Sequence, residues 1–428
     1  MTNHPMSPFE TAGHFSSDNP NELNNSMLYY AETFGEKESL EGYEIEEISP
    51  CVVTLKNPYR RITFSNSFGI SIGQMCAKLL WTIMGRSDKE FLRLFNHPYV
   101  HQAELDTFAA PFGERMFMYG RSDLRDMTYN PANQFVNATQ LLLRHPTSNA
   151  IVCGIWNPHF ETPTYIDSKR EYPSILSIQY RIRRGALDCT VYCRKLNIPA
   201  ELFTDVLFEC AVLHELMYSL LYNGKISVPG FRMGNLTFMT DSAYTFEGET
   251  RRDYEVAPFT FETECEPRIT LALDDLEQFN EFVYRRVIPF LMDDTCVMCG
   301  DVRESFYNEL SDQYANGILD EFWITVIKLA LAERLMRMQE FSAALWCVEF
   351  TDVSSYTAQF LHAFSHEILV TRNTLVSQRK SFDDEIGIGE YERVSKKYHE
   401  LVQRQIRFTK PTPHKQTAIA DYLKFEVQ

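Results

Sequence analysis

Pro173-Ser174-Ile175-Leu176-Ser177-Ile178-Gln179-Tyr180, then Arg183-Arg184-Gly185, then Tyr192-Cys193-Arg194-Lys195, is the stretch whose reading decides the fold. Its β-branched and aromatic residues favour extended backbone, and Gly185 supplies the residue that a tight turn needs. The pattern predicts two β-strands joined at Gly185, the second ending in the paired cations Arg194 and Lys195. Side chains alternate along a strand, so Cys189 and Cys193 share one face while Tyr192 and Arg194 share the other. The two thiols are therefore expected in the core.

Working outward, Cys51-Val52-Val53-Thr54-Leu55 reads as a further strand, and Asn57-Pro58-Tyr59-Arg60-Arg61 as a turn into a basic pair. Gly73 to Met84 has helical periodicity, with Met75, Leu79, Leu80 and Ile83 on one side and Gly85 closing it. Leu141-Leu142-Leu143 continues a helix that Asn133-Gln134 opens, and Ile151 to Ile155 is a strand. Asp205 begins an amphipathic helix over Val206 to Leu221. Asp274 to Leu291, Gly317 to Arg337, Phe341 to Phe350 and Tyr356 to Val370 are helical by period, with a polar helix over Glu390 to Ile406.

The order and spacing of these segments resemble thymidylate synthase and its cytidylate-hydroxymethylating relatives, over roughly residues 50–245. Pro173, Gln179, Gly185 and Arg194 keep the spacing of the family's nucleophile strand, turn glycine and phosphate-binding arginine. Ala77-Lys78-Leu79-Leu80-Trp81 with Gly85 resembles its Glu-Leu-Leu-Trp helix, and Met118-Tyr119-Gly120-Arg121 its Tyr-Gly segment. The departures fall on chemistry. The nucleophilic cysteine position holds Ser174, the following histidine is Ile175, and the catalytic glutamate is Lys78. Two arginines that reach into the other subunit's phosphate site read Asn149-Ala150, and the ribose-binding His-x-Tyr is absent from Leu236-Thr237-Phe238-Met239.

The resemblance implies an α+β fold, a thymidylate-synthase-like mixed sheet with flanking helices, plus a mainly α C-terminal extension. Residues 1–45 are polar and read as a flexible arm. Residues 46–250 form the thymidylate-synthase-like domain and 251–428 the helical region. A homodimer is implied through the large sheet.

Composition bounds the function. The formal charge of −17 argues against a nucleic-acid partner, while leaving room for a small anionic, nucleotide-like ligand. The ten cysteines show no secreted framework, and no apolar run is long enough for a membrane span, so a cytoplasmic protein is expected. Cys296-x-x-Cys299 stands without a second ligand pair, His362 and His366 have no acidic partner of suggestive spacing beyond Glu367, and His214-Glu215 lacks a second histidine, so no metal is expected.

A serine is a poor replacement for a thiolate and needs a base within reach. Ser174 is thus either a catalytic oxygen with Lys78 as base or a small filler. By resemblance, Arg61, Tyr119, Gln179, Arg194, Lys195, Asn197 and Asp205 line the substrate site. Arg194 and Lys195 are also readable as a surface ion pair, and Asp205 as a helix cap. The implied function is folate-dependent methyl or hydroxymethyl transfer from 5,10-methylenetetrahydrofolate to a nucleotide-like acceptor, without a cysteine nucleophile. The alternative is a catalytically inactive homologue serving as a ligand-binding, regulatory or assembly subunit. A different reaction on the same scaffold is the third possibility.

Overall fold

The computed structural model describes residues 13–40, 42–63, 71–102, 107–108, 110–120, 131–158, 161, 172–246 and 268–349. The strands are β1 (His14–Ser17), β2 (Glu36–Leu40), β3 (Tyr43–Ile48), β4 (Cys51–Leu55), β5 (Val152–Gly154), β6 (Ile175–Arg183), β7 (Ala186–Asn197) and β8 (Arg232–Phe246). They form one sheet in the order β1-β4-β8-β7-β6-β5, with β3 pairing β8 and β2 pairing β3. The sheet is mixed: β7 and β8 run parallel, while β6 is antiparallel to both β7 and β5.

The hairpin read from the sequence is present. Arg184 and Gly185 turn it at φ values of 52° and 77°. A Cβ on Gly185 would stand 2.9 Å from the Gly230 carbonyl oxygen, so both the positive φ and the close approach call for glycine. Ile178, Tyr180 and Ile182 of β6 are buried, as are Leu187, Cys189, Val191 and Cys193 of β7. The two thiols lie in the core, as alternation requires.

Parallel pairing of β7 with β8 needs a crossover. It is made by a wide-wound π-helical segment, Ile198–Val206, continuing into α6 (Leu207–Asn223). The helices before it are α1 (Pro20–Phe34), α2 (Ile72–Ile83), α3 (Lys89–Leu94), α4 (Phe112–Phe117) and α5 (Gln134–Arg144). Ser71 caps α2 in a reciprocal box with Gln74, and Asn133 caps α5 by accepting from the Val136 N–H. Helix α6 is not amphipathic: from Leu207 to Met217 every residue is buried, Glu209, His214 and Glu215 included.

The flexible arm expected over residues 1–45 is corrected for residues 13–40, which carry β1, α1 and β2. Leu23, Met27, Leu28 and Ala31 form an apolar stripe interleaved with polar residues, and all four are buried in the main core. Asn19 accepts from the Asn21 N–H and Pro20 opens the helix, a strong start signal.

The helical region continues as α7 (Leu276–Phe282), a second π-helical segment (Val283–Val287), α8 (Ile288–Met292), α9 (Asp294–Met298), α10 (Gly300–Ala315), α11 (Glu321–Arg337) and α12 (Phe341–Glu349). It is not a separate body. Phe279, Phe322 and Trp323 belong to the same apolar core as the sheet, and α11 packs along α2. Ser71 donates to the buried Glu333 at 2.6 Å, which ties the cap of α2 to α11. The expected helices over Tyr356 to Val370 and Glu390 to Ile406 lie outside the described residues, as do His362 and His366.

Candidate functional site

The site forms where β6 begins and β7 ends. The Arg194 N–H donates to the Ser174 carbonyl at 2.8 Å, so these two residues are neighbours across the strands. The Ser174 hydroxyl donates to Glu201 Oε1. Glu201 Oε2 also accepts the Asn197 N–H at 3.2 Å, while the Asn197 side chain accepts the Ala200 N–H at 2.9 Å. Asn197 therefore caps the wide-wound segment and holds Glu201 in place. Burial pushes the Glu201 carboxyl upward, opposed by Ser174, the Asn197 N–H, Lys195 and Lys78.

Four residues further along lies a second cluster. Lys78 Nζ stands 3.1 Å from Asp205 Oδ2 and 3.2 Å from Glu209 Oε2, and 4.9 Å above the Tyr99 ring. Glu209 Oε1 accepts from Thr82 Oγ1 at 2.6 Å. Burial alone would lower the Lys78 ammonium, but the two carboxylates outweigh it and hold its pKa above the ordinary lysine value. Burial likewise works against ionised Asp205, and Lys78 and His97 overcome it, so that this carboxyl lies below its usual range. Glu209 moves the other way: burial raises it further than Lys78 restores it.

His97 completes this cluster. The Tyr99 N–H donates to His97 Nδ1 at 3.1 Å, which places the proton of the neutral ring on Nε2. That nitrogen faces Asp205 Oδ1 at 3.6 Å, beyond hydrogen-bond reach, and both atoms are buried without a hydrogen-bond partner.

The expected pairing of Ser174 with Lys78 is thus replaced by Ser174 with Glu201. Lys78 is instead held as a cation between Asp205 and Glu209. Asp205 belongs to the Lys78 cluster, and Asn197 supports Glu201 in the first one. Arg194 is half-buried, and its Nε is enclosed without a hydrogen-bond partner. Lys195 lies 6.0 Å from the Tyr244 ring centre.

Arg61 goes elsewhere. It is buried in an ion pair with Glu215, with its guanidinium 4.6 Å from the Phe322 ring centre. Gln179 donates to the Asn149 carbonyl at 3.0 Å and accepts from Tyr192 at 3.4 Å, and Tyr119 forms a backbone bridge to Ala132. Neither touches the Ser174 or Lys78 cluster through these bonds.

Glu201, Glu209 and His97 escaped the sequence reading. A signal for two of them was present: Glu201, Asp205 and Glu209 recur every four residues, a spacing that puts three carboxylates on one side of a helix. Among the described residues, the neighbouring thiols are core groups. Cys193, close enough for the Glu201 charge to act on it, is pushed well above the usual thiol range by burial, and burial pushes Cys153 up to about 12.

The chain is 26% identical over 370 residues to a deoxyuridylate hydroxymethyltransferase of Bacillus phage SP01, covering 81% of this chain and 93% of that protein. No family model matches the sequence. The observed mixed sheet with flanking helices agrees with the α+β architecture expected from the sequence. Among the described residues, no helix is long and apolar enough to cross a membrane.

Proposed function

From its similarity to a phage deoxyuridylate hydroxymethyltransferase and its thymidylate-synthase-like sheet, we propose that the chain transfers a one-carbon unit to a pyrimidine-nucleotide-like acceptor, with Ser174 and Glu201 standing in for a thiolate. The hydrogen bond from the Ser174 hydroxyl to Glu201 carries this reading. A serine oxygen needs a positioned base, and Glu201 is a buried carboxylate already in contact with it. As Oγ bonds to an electrophilic ring carbon, its proton passes to Glu201 and the neighbouring ring carbon takes the electron pair. That carbon then becomes the nucleophile.

The acceptor's anion has a matching group in Arg194, whose enclosed Nε lacks a hydrogen-bond partner. A methylenetetrahydrofolate-related donor is the one-carbon source that the resemblance to this family suggests. Deoxyuridylate is the first acceptor to test, since the phage relative is named for it. The homodimer belongs to the same proposal: Val152 and Met239 leave apolar surface exposed on sheet strands.

A ligand-binding role without turnover is the second reading. Lys78 favours it, because an ammonium fixed between Asp205 and Glu209 cannot reproduce the proton handling of a free glutamate.

Thermal unfolding with deoxyuridylate and with methylenetetrahydrofolate, followed by transfer of labelled carbon, tests both readings. Stabilisation by both ligands together with labelled nucleotide supports transfer, and stabilisation without label supports binding alone. Stabilisation by neither removes the basis of both, because a ligand of the native state raises apparent stability by mass action.

A further inference from the structure

A cavity of about 700 Å³ opens at the far end of the sheet from Ser174, lined by Lys56, Arg181, Arg183, Arg184 and Arg232 with Asp188 as the one carboxylate. The separation follows from strand geometry. Ten residues of extended chain from Ser174 to Arg184 span roughly 30 Å at about 3.3 Å each. This cavity is therefore a different place from the cluster around Glu201.

Its charge is unusual for the chain that carries it. The whole sequence bears a formal charge of −17, yet β6, the turn after it, the start of β8 and the residue after β4 deliver five cations to one concavity. Asp188, whose Oδ1 accepts the Asn235 N–H at 3.0 Å, offsets one of the five charges and leaves a net excess of positive charge. Among the described residues none of the five cations is in an ion pair. Arg183 is fixed by donating to the Thr147 and Ile182 carbonyls and to Asn149 Oδ1, and Arg232 donates to the Arg184 carbonyl at 2.9 Å. Arg181, Arg184, Arg232 and Lys56 are all exposed.

Like charges gathered in a cleft repel one another and focus a positive potential there, which an anion relieves. Guanidinium groups meet phosphate through a planar fork, and several of them suit several phosphates. The volume falls within the roughly 300–1,000 Å³ of small-molecule sites. We propose that this arginine-lined cavity is a second anion site that takes a polyphosphate group, free or carried by a nucleotide. The site does not depend on the one-carbon chemistry proposed above.

The test is titration calorimetry on the full chain with sodium tripolyphosphate and, in a second arm, deoxyadenosine triphosphate. The wild type should bind tripolyphosphate, and Arg181→Glu/Arg184→Glu should weaken this roughly tenfold or more, as loss of charge-assisted hydrogen bonds predicts. Both positions are exposed, so the double variant should keep its unfolding midpoint, and Arg181→Lys/Arg184→Lys should retain most of the affinity. Arg194→Ala should leave it unchanged. Tighter binding of the nucleotide than of tripolyphosphate identifies a nucleotide as the carrier, and equal or weaker binding identifies a free polyphosphate. No binding at millimolar tripolyphosphate, equal binding by the charge-reversed variant, or loss in Arg194→Ala would each overturn the proposal.

Discussion

Arg61 and Glu215, 154 positions apart in the chain, form an ion pair whose side chains are almost completely withdrawn from solvent. Glu215 also accepts the Ile269 N–H at 3.1 Å, so the pair joins the turn after β4, helix α6 and the segment leading to α7. Removing one partner of a buried pair leaves an uncompensated charge, which costs about 3–5 kcal/mol. Arg61→Met should lose about that much in urea unfolding. Arg61→Met/Glu215→Leu should recover most of it. If Arg61 instead served mainly to hold a ligand, the single variant would keep its stability and lose affinity.

Ser174 and Glu201 should behave as one unit in catalysis. Ser174→Ala and Glu201→Gln are each expected to lower turnover by about 10²–10⁴-fold, the usual range for acid–base assistance. Their combination should cost little more than either alone, because groups that act together are not additive. Additive losses in single-turnover measurements would separate their roles. Since Glu201 works as a carboxylate whose pKa burial has raised, the acid limb of the rate profile should lie above the ordinary glutamate value.

Acid sensitivity should come in part from His214. Its Nε2 lies 2.7 Å from the Leu187 carbonyl, which can only accept, so this nitrogen carries the proton of the neutral ring. Burial lowers the pKa from 6.5 to about 4, with the Leu187 bond opposing it. Between those values the unfolded chain binds a proton that the native ring refuses, so stability falls as pH drops through that window. The full effect is about 3 kcal/mol. Compared with wild type in urea unfolding, His214→Gln should show a shallower decline between pH 6.5 and pH 4.

Met27, fully buried in α1, gives a direct measure of how firmly the N-terminal segment is held. Met27→Ala should destabilise the whole fold by about 2–5 kcal/mol, as deletions of buried side chains do. An unchanged unfolding midpoint would return the segment to the status of a loose arm.

The hairpin around Gly185 was legible because alternation and a turn glycine coincide, and the resemblance carried the sheet from there. Helix α1 was obscured by composition: its asparagines and glutamates suggest a solvated chain, although Leu23, Met27, Leu28 and Ala31 make a continuous stripe. The partner of Ser174 was harder to find. It lies beyond the strand, on a π-helical segment whose existence no residue pattern announces, whereas the family's glutamate position holds Lys78. His97 was hidden for a related reason, since its link to Asp205 depends on how α3 and the turn after it meet the segment Ile198–Val206 in space. Arg61 was ambiguous for another reason: a basic pair after a turn looks alike in sequence whether it faces ligand or core, and here the guanidinium pairs with Glu215.

Glu201 and Asp205 both ride on Ile198–Val206, the wide-wound stretch that Asn197 caps. Such windings are frequent at functional sites because they set side chains at an angle that a regular helix does not offer. One piece of backbone thus acts as a common lever for two chemistries. A mutation that rewound it would turn the serine's partner and the lysine's partner together, so evolution cannot adjust one without disturbing the other.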